Sequence, residues 1–286
     1  MTFTEIFASP FLTALVGKSL IVGILVSLCA SLLGVSLVLK RYSMIGDGLS
    51  HVGFFALALG AAAGVSGTHS LEASLPIVIL AAVLILRLSR SEKINGDAAC
   101  AIVSTGAVAI GTLINNLTGT GSSDVCSSLF GSASIVTLSD KDMWISIVLS
   151  AAVIIWYGLF ARQIFAVTFD ESFARSAGCR TERMNLALAV LTGVTIVLGM
   201  KMMGALMISA LILFPPMTAM GLSGNFRTVV LSSAGISVSC FLVGFFLACW
   251  FGLQTGATVV TVNVLVFCIV SGIRTLLPKI LRKKTA

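Results

Sequence analysis

The feature that most constrains this chain is a series of apolar runs, each roughly 18 to 25 residues long. Runs of this length cross a bilayer as α-helices, because about 20 residues rising 1.5 Å each span the hydrocarbon core. A transmembrane β-barrel would show short strands of alternating polarity, and the sequence has no such pattern. Only 10% of the residues are charged, too few to cover a soluble protein. We therefore predict an all-α, polytopic protein of the cell membrane.

The apolar runs define nine candidate spans. They lie near residues 16–39, 44–64, 73–88, 97–116, 143–160, 185–200, 203–222, 228–251 and 257–274. The connection before Gly204 is so short that 185–222 could instead form one span and a re-entrant element. Eight spans are therefore the alternative. The longest connections are predicted at 117–142 and 161–184.

Lysine and arginine residues are distributed unequally between alternate connections. If the N-terminus is outside, only Lys18, Lys141 and Lys201 of the 18 basic residues face outward. The others fall on one side: Lys40, Arg41, Arg87, Arg90, Lys93, Arg162, Arg175, Arg180, Arg183, Arg227, Arg274, Lys279, Arg282, Lys283 and Lys284. The positive-inside rule then predicts an N-out, C-in topology. This bias accounts for the net charge of +7 without a nucleic-acid partner, although the basic tail could touch anionic lipid.

Enzyme motifs are incomplete in this sequence. Gly17-Lys18-Ser19 ends like a phosphate-binding loop, but Leu12 stands where that motif needs its first glycine. Two Gly-x-Ser-Gly sequences resemble intramembrane serine proteases, but neither has a histidine on a plausible partner helix. We expect no catalytic activity and no permanently bound cofactor. A proton-driven secondary transporter is a less favoured alternative, because it would usually show internal repeats.

Ionisable residues at membrane depth are the strongest functional signal. Asp47, His51 and Asp97 lie in predicted spans, where charge is costly and usually marks a pathway. Asp47 and His51 share a helical face because they are four residues apart. A carboxylate and an imidazole suit Zn²⁺ or Mn²⁺, and two ligands would hold such an ion only transiently. Spacing leaves a second interpretation open, in which Asp47 caps a helix near the interface.

A proline pair interrupts the predicted span at 203–222. Pro215 and Pro216 remove two backbone donors and predict a helix break. In lipid the freed carbonyl groups need partners, so such breaks occur inside bundles or along cavities. The sequence does not distinguish a packed kink from a gating element of a pathway.

Several segments together resemble the permease subunits of bacterial ABC importers for zinc, manganese or iron. The resemblance covers about residues 35 to 270, in order. Its segments are Arg41-Tyr-Ser-Met-Ile-Gly-Asp-Gly-Leu-Ser-His-Val, Asn95-Gly-Asp97, Ser128-Leu-Phe-Gly-Ser, Phe169-Asp-Glu-Ser-Phe-Ala-Arg-Ser-Ala-Gly178, the stretch from Gly204 to Pro216, and Gly256-Ala-Thr-Val-Val. Gly96 departs from the family pattern, in which many members carry a second acid before the aspartate.

The resemblance implies one transmembrane permease domain over 1–286, of the type II importer class, with a cytoplasmic coupling segment at 163–183. The implied partners are a second copy of the chain, a cytoplasmic ATPase dimer that binds ATP, and an extracytoplasmic metal-binding protein. Phe169 to Gly178 would form a short helix in the ATPase groove, with Phe169, Asp170, Glu171, Ala174 and Gly178 as coupling residues. The transported ion is expected to be zinc first and manganese second, held at Asp47 and His51 with Asp97 further along.

Overall fold

The computed structural model describes residues 10–40, 42, 44–64, 69–88, 96–118 and 140–284. The predicted outer segment at 128–132 and the predicted inner residues Arg41, Arg90 and Lys93 lie outside them. The described residues form ten helices and no strand. These are α1 Pro10–Leu39, α2 Ile45–Ala62, α3 His69–Leu88, α4 Gly96–Leu117, α5 Asp140–Phe169, α6 Glu171–Ser176, α7 Thr181–Met203, α8 Ala205–Leu222, α9 Phe226–Phe251 and α10 Thr255–Lys284.

The predicted all-α membrane architecture is confirmed. Every candidate span falls on a separate long helix, and in the described part of the chain eight helices are long and apolar enough to cross a membrane. The span predicted at 73–88 lies on α3, whose described apolar part, Ser74–Leu88, is shorter. These eight include Thr181–Met200 and Ala205–Leu222 as separate spans, so they differ from the eight-span alternative, which joined 185–222 into one span and a re-entrant element.

Helix α1 lies at the centre of the bundle. Its buried serine Ser27 accepts, at its backbone oxygen, a hydrogen bond from the Ser237 hydroxyl of α9 (2.9 Å). Towards its other end, the Ser36 and Tyr157 hydroxyls are 3.2 Å apart and tie α1 to α5. These polar contacts satisfy hydroxyl groups that would be costly to leave unpaired between apolar helices. They fix the positions of α5 and α9 along the axis of α1.

The predicted inner connection at 161–184 is mostly helical, which corrects the sequence-based boundary. Helix α5 continues to Phe169 because Ile164 and Val167 remain buried. They join a core cluster with Met184 and Leu188 of α7. Apolar packing thus extends both helices beyond the predicted ends of their spans, and only the short helix α6 and its flanking turns remain between them.

The joint between α7 and α8 lies within the bundle. Gly204 connects the two helices with a φ of 90°. The neighbouring Met203 side chain packs at Gly23 of α1, where Phe241 of α9 also packs. Phe241 is about 15 Å of helix before the end of α9 at Phe251. The two helices therefore meet well below the end of α9, as a re-entrant arrangement would require.

The predicted break at Pro215 and Pro216 does not interrupt the helix, which corrects that expectation. Helix α8 continues through both buried prolines to Leu222. The prolines leave the carbonyl groups of Leu211 and Ile212 without their usual helical donors. Gly34 of α1 lies directly against the Ile212 carbonyl oxygen, because a Cβ at residue 34 would be only 2.2 Å from it. Close packing by a neighbouring helix thus surrounds the proline pair.

Candidate functional site

The Gly-Asp-Gly sequence at 46–48 places one glycine against each of two neighbouring helices. A Cβ at Gly46 would be 3.2 Å from Cγ2 of Ile212 in α8. A Cβ at Gly48 would be 3.4 Å from the Cys100 carbonyl oxygen in α4. Small residues let helices approach closely in membranes. The two glycines therefore seat the start of α2 between α8 and α4, with Asp47 between them.

The start of α2 lies inside the bundle. Gly34 and Gly46 both pack on Ile212, so they are at the same level. Gly34 is about 8 Å of helix before the end of α1 at Leu39. The chain therefore descends past this level, reverses direction between Lys40 and Ile45, and returns to begin α2. Asp47 and His51 are consequently held within the bundle and above the turn that precedes them.

Asp47 and His51 lie on one face of α2, as their spacing predicts. His51 Nε2 is 3.6 Å from Asp47 Oδ2, which is too long for a hydrogen bond. The other ring nitrogen, Nδ1, is buried without a hydrogen-bond partner. The His51 side chain is 26% exposed and the Asp47 side chain is 46% exposed. The pair is thus close enough to share a cation between a carboxylate oxygen and an imidazole nitrogen.

The structure decides against Asp47 as the capping residue of α2. The helix begins at Ile45, and Met44 occupies the N-cap position without a side-chain hydrogen bond. Asp47 lies three residues after the N-cap position, in the first turn, where the partial positive charge of a helix N-terminus favours a carboxylate. Its backbone carbonyl accepts the Ser50 hydroxyl at 2.7 Å. The carboxylate is not used in capping.

The Asp47 carboxylate lines an open cavity of about 170 Å³. Helix α8 forms one wall with Leu206, Ser209, Ala210, Leu213 and Phe214, while Met44 and Val260 complete it. The two prolines mark the α8 segment in the sequence, but Ser209, Phe214 and Val260 were not predicted as site residues. Periodicity marks them only as apolar or small helical residues, so nothing in the sequence could place them beside Asp47.

Asp97 lies in the first turn of α4, which runs parallel to α2. Gly48 packs on Cys100 near the starts of the two helices, and Gly111 packs on Phe54 further along. The acidic first turns of α2 and α4 therefore lie at the same end. Among the side chains that the structure describes, no three His, Cys, Asp or Glu residues could share a metal ion. Within one chain, Asp47 and His51 are therefore close together, and Asp97 does not form a three-residue metal site with them.

The segment predicted to couple to an ATPase forms α6, shorter than the expected Phe169 to Gly178. Phe169 ends α5, and Asp170 caps α6 by accepting the Phe173 amide proton (2.9 Å). Ala174 is buried, while Phe169 and Phe173 are 60% and 66% exposed. Gly178 reverses the chain with a φ of 86°. The exposed Phe169 at the end of α5 and the exposed Phe173 in α6 therefore lie on either side of the Asp170 cap.

Comparison with known proteins assigns this chain to a family. The sequence model of the ABC 3 transport family matches residues 13–274. The Streptococcus gordonii "Manganese import system permease protein ScaB" is 25% identical over 252 residues, 88% of each chain. The Treponema pallidum "Probable metal transport system membrane protein" is 30% identical over 263 residues, 90% of this chain and 94% of that one.

A solved structure shares the architecture over nearly the whole chain. It is that of PsaBC from Streptococcus pneumoniae in complex with a Fab. Its TM-score is 0.78 at 25% sequence identity, and the match covers 93% of each chain. The helical arrangement described above is thus similar to that of an experimentally determined protein.

Proposed function

The chain is a multi-pass cell-membrane protein of the ABC 3 transport family, and we propose that it forms the membrane path of an ATP-driven importer of divalent transition metal. The observation that carries this proposal is the Asp47–His51 pair within the bundle, beside an open cavity. Ionisable groups at such depth are costly and are retained where they contact a transported ion. The names of the two relatives described above, which refer to manganese and metal transport, support the same substrate class.

The metal would be held transiently by Asp47 Oδ2 and a His51 ring nitrogen. The unpartnered Nδ1 and the 3.6 Å separation leave both side chains able to turn towards a cation. Two protein ligands make a weak site, which suits an ion that must leave again. The Asp47 cavity is open at the surface of a single chain, so a second copy or water would complete the coordination. Asp97 would act further along the path, at the first turn of α4.

Helix α6 would dock the chain to a cytoplasmic ATPase. Its exposed Phe173, and the exposed Phe169 at the end of α5, lie on the side that the basic residues predict to be cytoplasmic. Buried Ala174 fixes the other face of α6 to the bundle. ATP would bind and be hydrolysed on the partner, so this subunit would itself be non-enzymatic. An extracytoplasmic binding protein would deliver the ion to the opposite end.

Manganese and zinc are both candidates for the transported ion. An imidazole nitrogen favours zinc, while a carboxylate oxygen serves either ion. The Streptococcus gordonii relative is named for manganese import. We therefore propose manganese as an equal alternative to the zinc expected from the motif.

Metal uptake by the reconstituted complex tests this function. The purified permease with its ATPase and binding protein, placed in proteoliposomes, should import Zn²⁺ or Mn²⁺ only with ATP. Asp47→Ala and His51→Ala should each reduce uptake by at least about tenfold while ATPase binding persists. Ser50→Ala is the matched control, because its hydroxyl contacts the Asp47 backbone and offers no ligand.

Two results would contradict the proposal at different levels. Uptake without ATP or the ATPase would exclude an ATP-driven importer and favour a gradient-driven transporter. If ATP-driven uptake is unchanged in both Asp47→Ala and His51→Ala, the protein is still an ATP-driven importer, but Asp47 and His51 do not form its metal site.

A further inference from the structure

A chain of side-chain contacts joins the coupling helix to the turn before Asp47. Lys40 Nζ donates a hydrogen bond to Oδ1 of Asn185, the residue that follows the first turn of α7. Asn185 Nδ2 donates to Oε1 of Glu171 in α6, at 3.2 Å. The three residues belong to three different elements of the fold. They lie 145 and 14 residues apart along the chain, so tertiary packing alone brings them together.

Asn185 is the centre of this chain, and its orientation is determined by its neighbours. Asn185 is 9% exposed, and its amide oxygen and amide nitrogen each form a hydrogen bond. Lysine can only donate hydrogen bonds, and an ionised carboxylate can only accept them. The amide oxygen must therefore face Lys40 and the amide nitrogen must face Glu171. A hydrophobic replacement would leave the Lys40 charge without this partner.

Lys40 is the last residue before the turn that leads into the proposed metal site. Its amide donates to the Ser36 carbonyl (3.2 Å), which continues the hydrogen bonding of α1. The Tyr42 amide donates to Leu37 and the Ile45 amide to Tyr42, so the turn is compact. Helix α2 starts at Ile45, and Asp47 lies in its first turn. A short, hydrogen-bonded connection therefore links Lys40 to the helical turn that carries Asp47.

Glu171 lies at the opposite end of the chain, on the helix proposed to bind the ATPase. It is the first residue of α6, directly after the Asp170 cap. Its Oε1 is also 3.8 Å from Arg175 Nη2, an ion pair on the exposed face. On the buried face, Ala174 packs in the cluster that includes Met184 and Leu188 of α7. Helix α6 is thus attached to α7 by apolar packing and is linked to Lys40 through Asn185.

We propose that Lys40, Asn185 and Glu171 form a coupling relay, which transmits displacement of α6 to the α1–α2 turn and so to Asp47. This inference rests on the proposed function, because it assumes that an ATPase moves α6. The three are positioning residues, since none of them contacts the transported ion. Breaking the relay should leave the ATPase bound and active but uncouple hydrolysis from transport.

The test compares ATP hydrolysis with metal uptake in the reconstituted complex. Asn185→Ala should raise the ATP hydrolysed per ion imported by about tenfold, within the usual range of coupling energies between sites. Hydrolysis itself and the amount of bound ATPase should stay near wild type. Asn225→Ala is the matched control, because Asn225 is exposed and makes no side-chain capping hydrogen bond at the start of α9.

Conservative variants separate a relay from simple packing. Glu171→Gln keeps a carbonyl acceptor for Asn185 and should retain the wild-type ratio, while Glu171→Ala should raise it. Lys40→Arg should likewise retain the ratio that Lys40→Met loses. Asn185→Ala combined with Glu171→Ala should add little to either alone, because residues in one network are non-additive.

The outcomes are distinct. A ratio that stays at the wild-type value in Asn185→Ala, Glu171→Ala and Lys40→Met would overturn the relay. If Asn185→Ala does not assemble, the Lys40→Met and Lys40→Arg pair decides, because Lys40 lies outside the helix that is proposed to bind the ATPase. A wild-type complex without ATP-driven uptake would overturn the proposed function itself.

Discussion

Gly34 in α1 packs directly on the backbone carbonyl of Ile212 in α8, at the point where Pro216 removes the usual helical donor for that carbonyl. A Cβ at residue 34 would be 2.2 Å from the Ile212 oxygen and 3.0 Å from Pro216 Cγ. Both atoms belong to groups that cannot turn aside, a backbone carbonyl and a ring. Gly46, next to Asp47, also packs on Ile212. The close approach of α1 and α8 beside the proposed metal site therefore requires a glycine at residue 34.

Gly34→Ala should destabilise the permease by about 1 to 3 kcal/mol, since α1 and α8 must separate to admit a methyl group. Thermal unfolding in detergent measures the effect. Gly158→Ala is the control, because no atom lies within 4 Å of a Cβ there and alanine favours helix. An equal melting temperature for the two variants would contradict the described α1–α8 contact.

His51→Asp should shift the ion preference of transport towards manganese. The substitution replaces a nitrogen ligand with an oxygen ligand, and oxygen ligands suit Mn²⁺ better than nitrogen or sulfur ligands do. We expect the ratio of zinc to manganese uptake to fall by about tenfold, measured by competition in proteoliposomes. Asp47→Glu, which preserves the ligand type, should leave the ratio near wild type. An unchanged ratio in His51→Asp would argue that His51 does not contact the ion.

Asp170→Ala should weaken attachment of the ATPase. Loss of an N-cap side chain costs about 1 kcal/mol, and α6 has only one and a half turns over which to recover it. The affinity of the ATPase for the purified permease should therefore fall, while Asp170→Ser should preserve it. Asn225→Ala again serves as control, because Asn225 occupies the N-cap of α9 without a side-chain bond. Unchanged affinity in Asp170→Ala would argue that α6 does not take part in ATPase docking.

Gly178→Ala should strain the turn that follows α6. The glycine has a φ of 86°, and no atom lies within 4 Å of a Cβ there. The cost is therefore conformational and amounts to about 1 to 2 kcal/mol, since alanine tolerates this region poorly. Limited proteolysis between α6 and α7 should become faster. Gly224→Ala, in an equally open position without the positive φ, should not change the cleavage rate.

Much of the architecture could be predicted from the sequence because bilayer thickness imposes a length on apolar runs. The spans around Phe226–Phe251 and Gly96–Leu117 are clear examples, since each consists of an apolar run of sufficient length. The inner ends of α5 and α7 were predicted less well. Ile164 and Val167 pack against α7 beyond the predicted span, and hydropathy does not reveal that contact.

The candidate site, like the fold, could be predicted only in part from the sequence. The spacing of Asp47 and His51 was sufficient to place both on one helical face, because the helical repeat is local. Whether Asp47 caps a helix depended on where α2 begins, and the structure places that start at Ile45. Lys40, Asn185 and Glu171 could not be associated from the sequence, because a hydrogen bond across 145 residues has no periodic signal.

The sequence by itself determined the membrane-spanning helical class and the ionisable pair on α2, since both follow from hydrophobicity and the geometry of one helix. Only the tertiary structure decided the depth of that pair and the neighbours of its glycines. Those properties depend on how α1, α4 and α8 approach α2, and Gly34, Gly46 and Gly48 permit that approach at particular backbone atoms. Hydrophobicity and the helical repeat act within one helix, whereas contact between helices is set by the packing of all of them together.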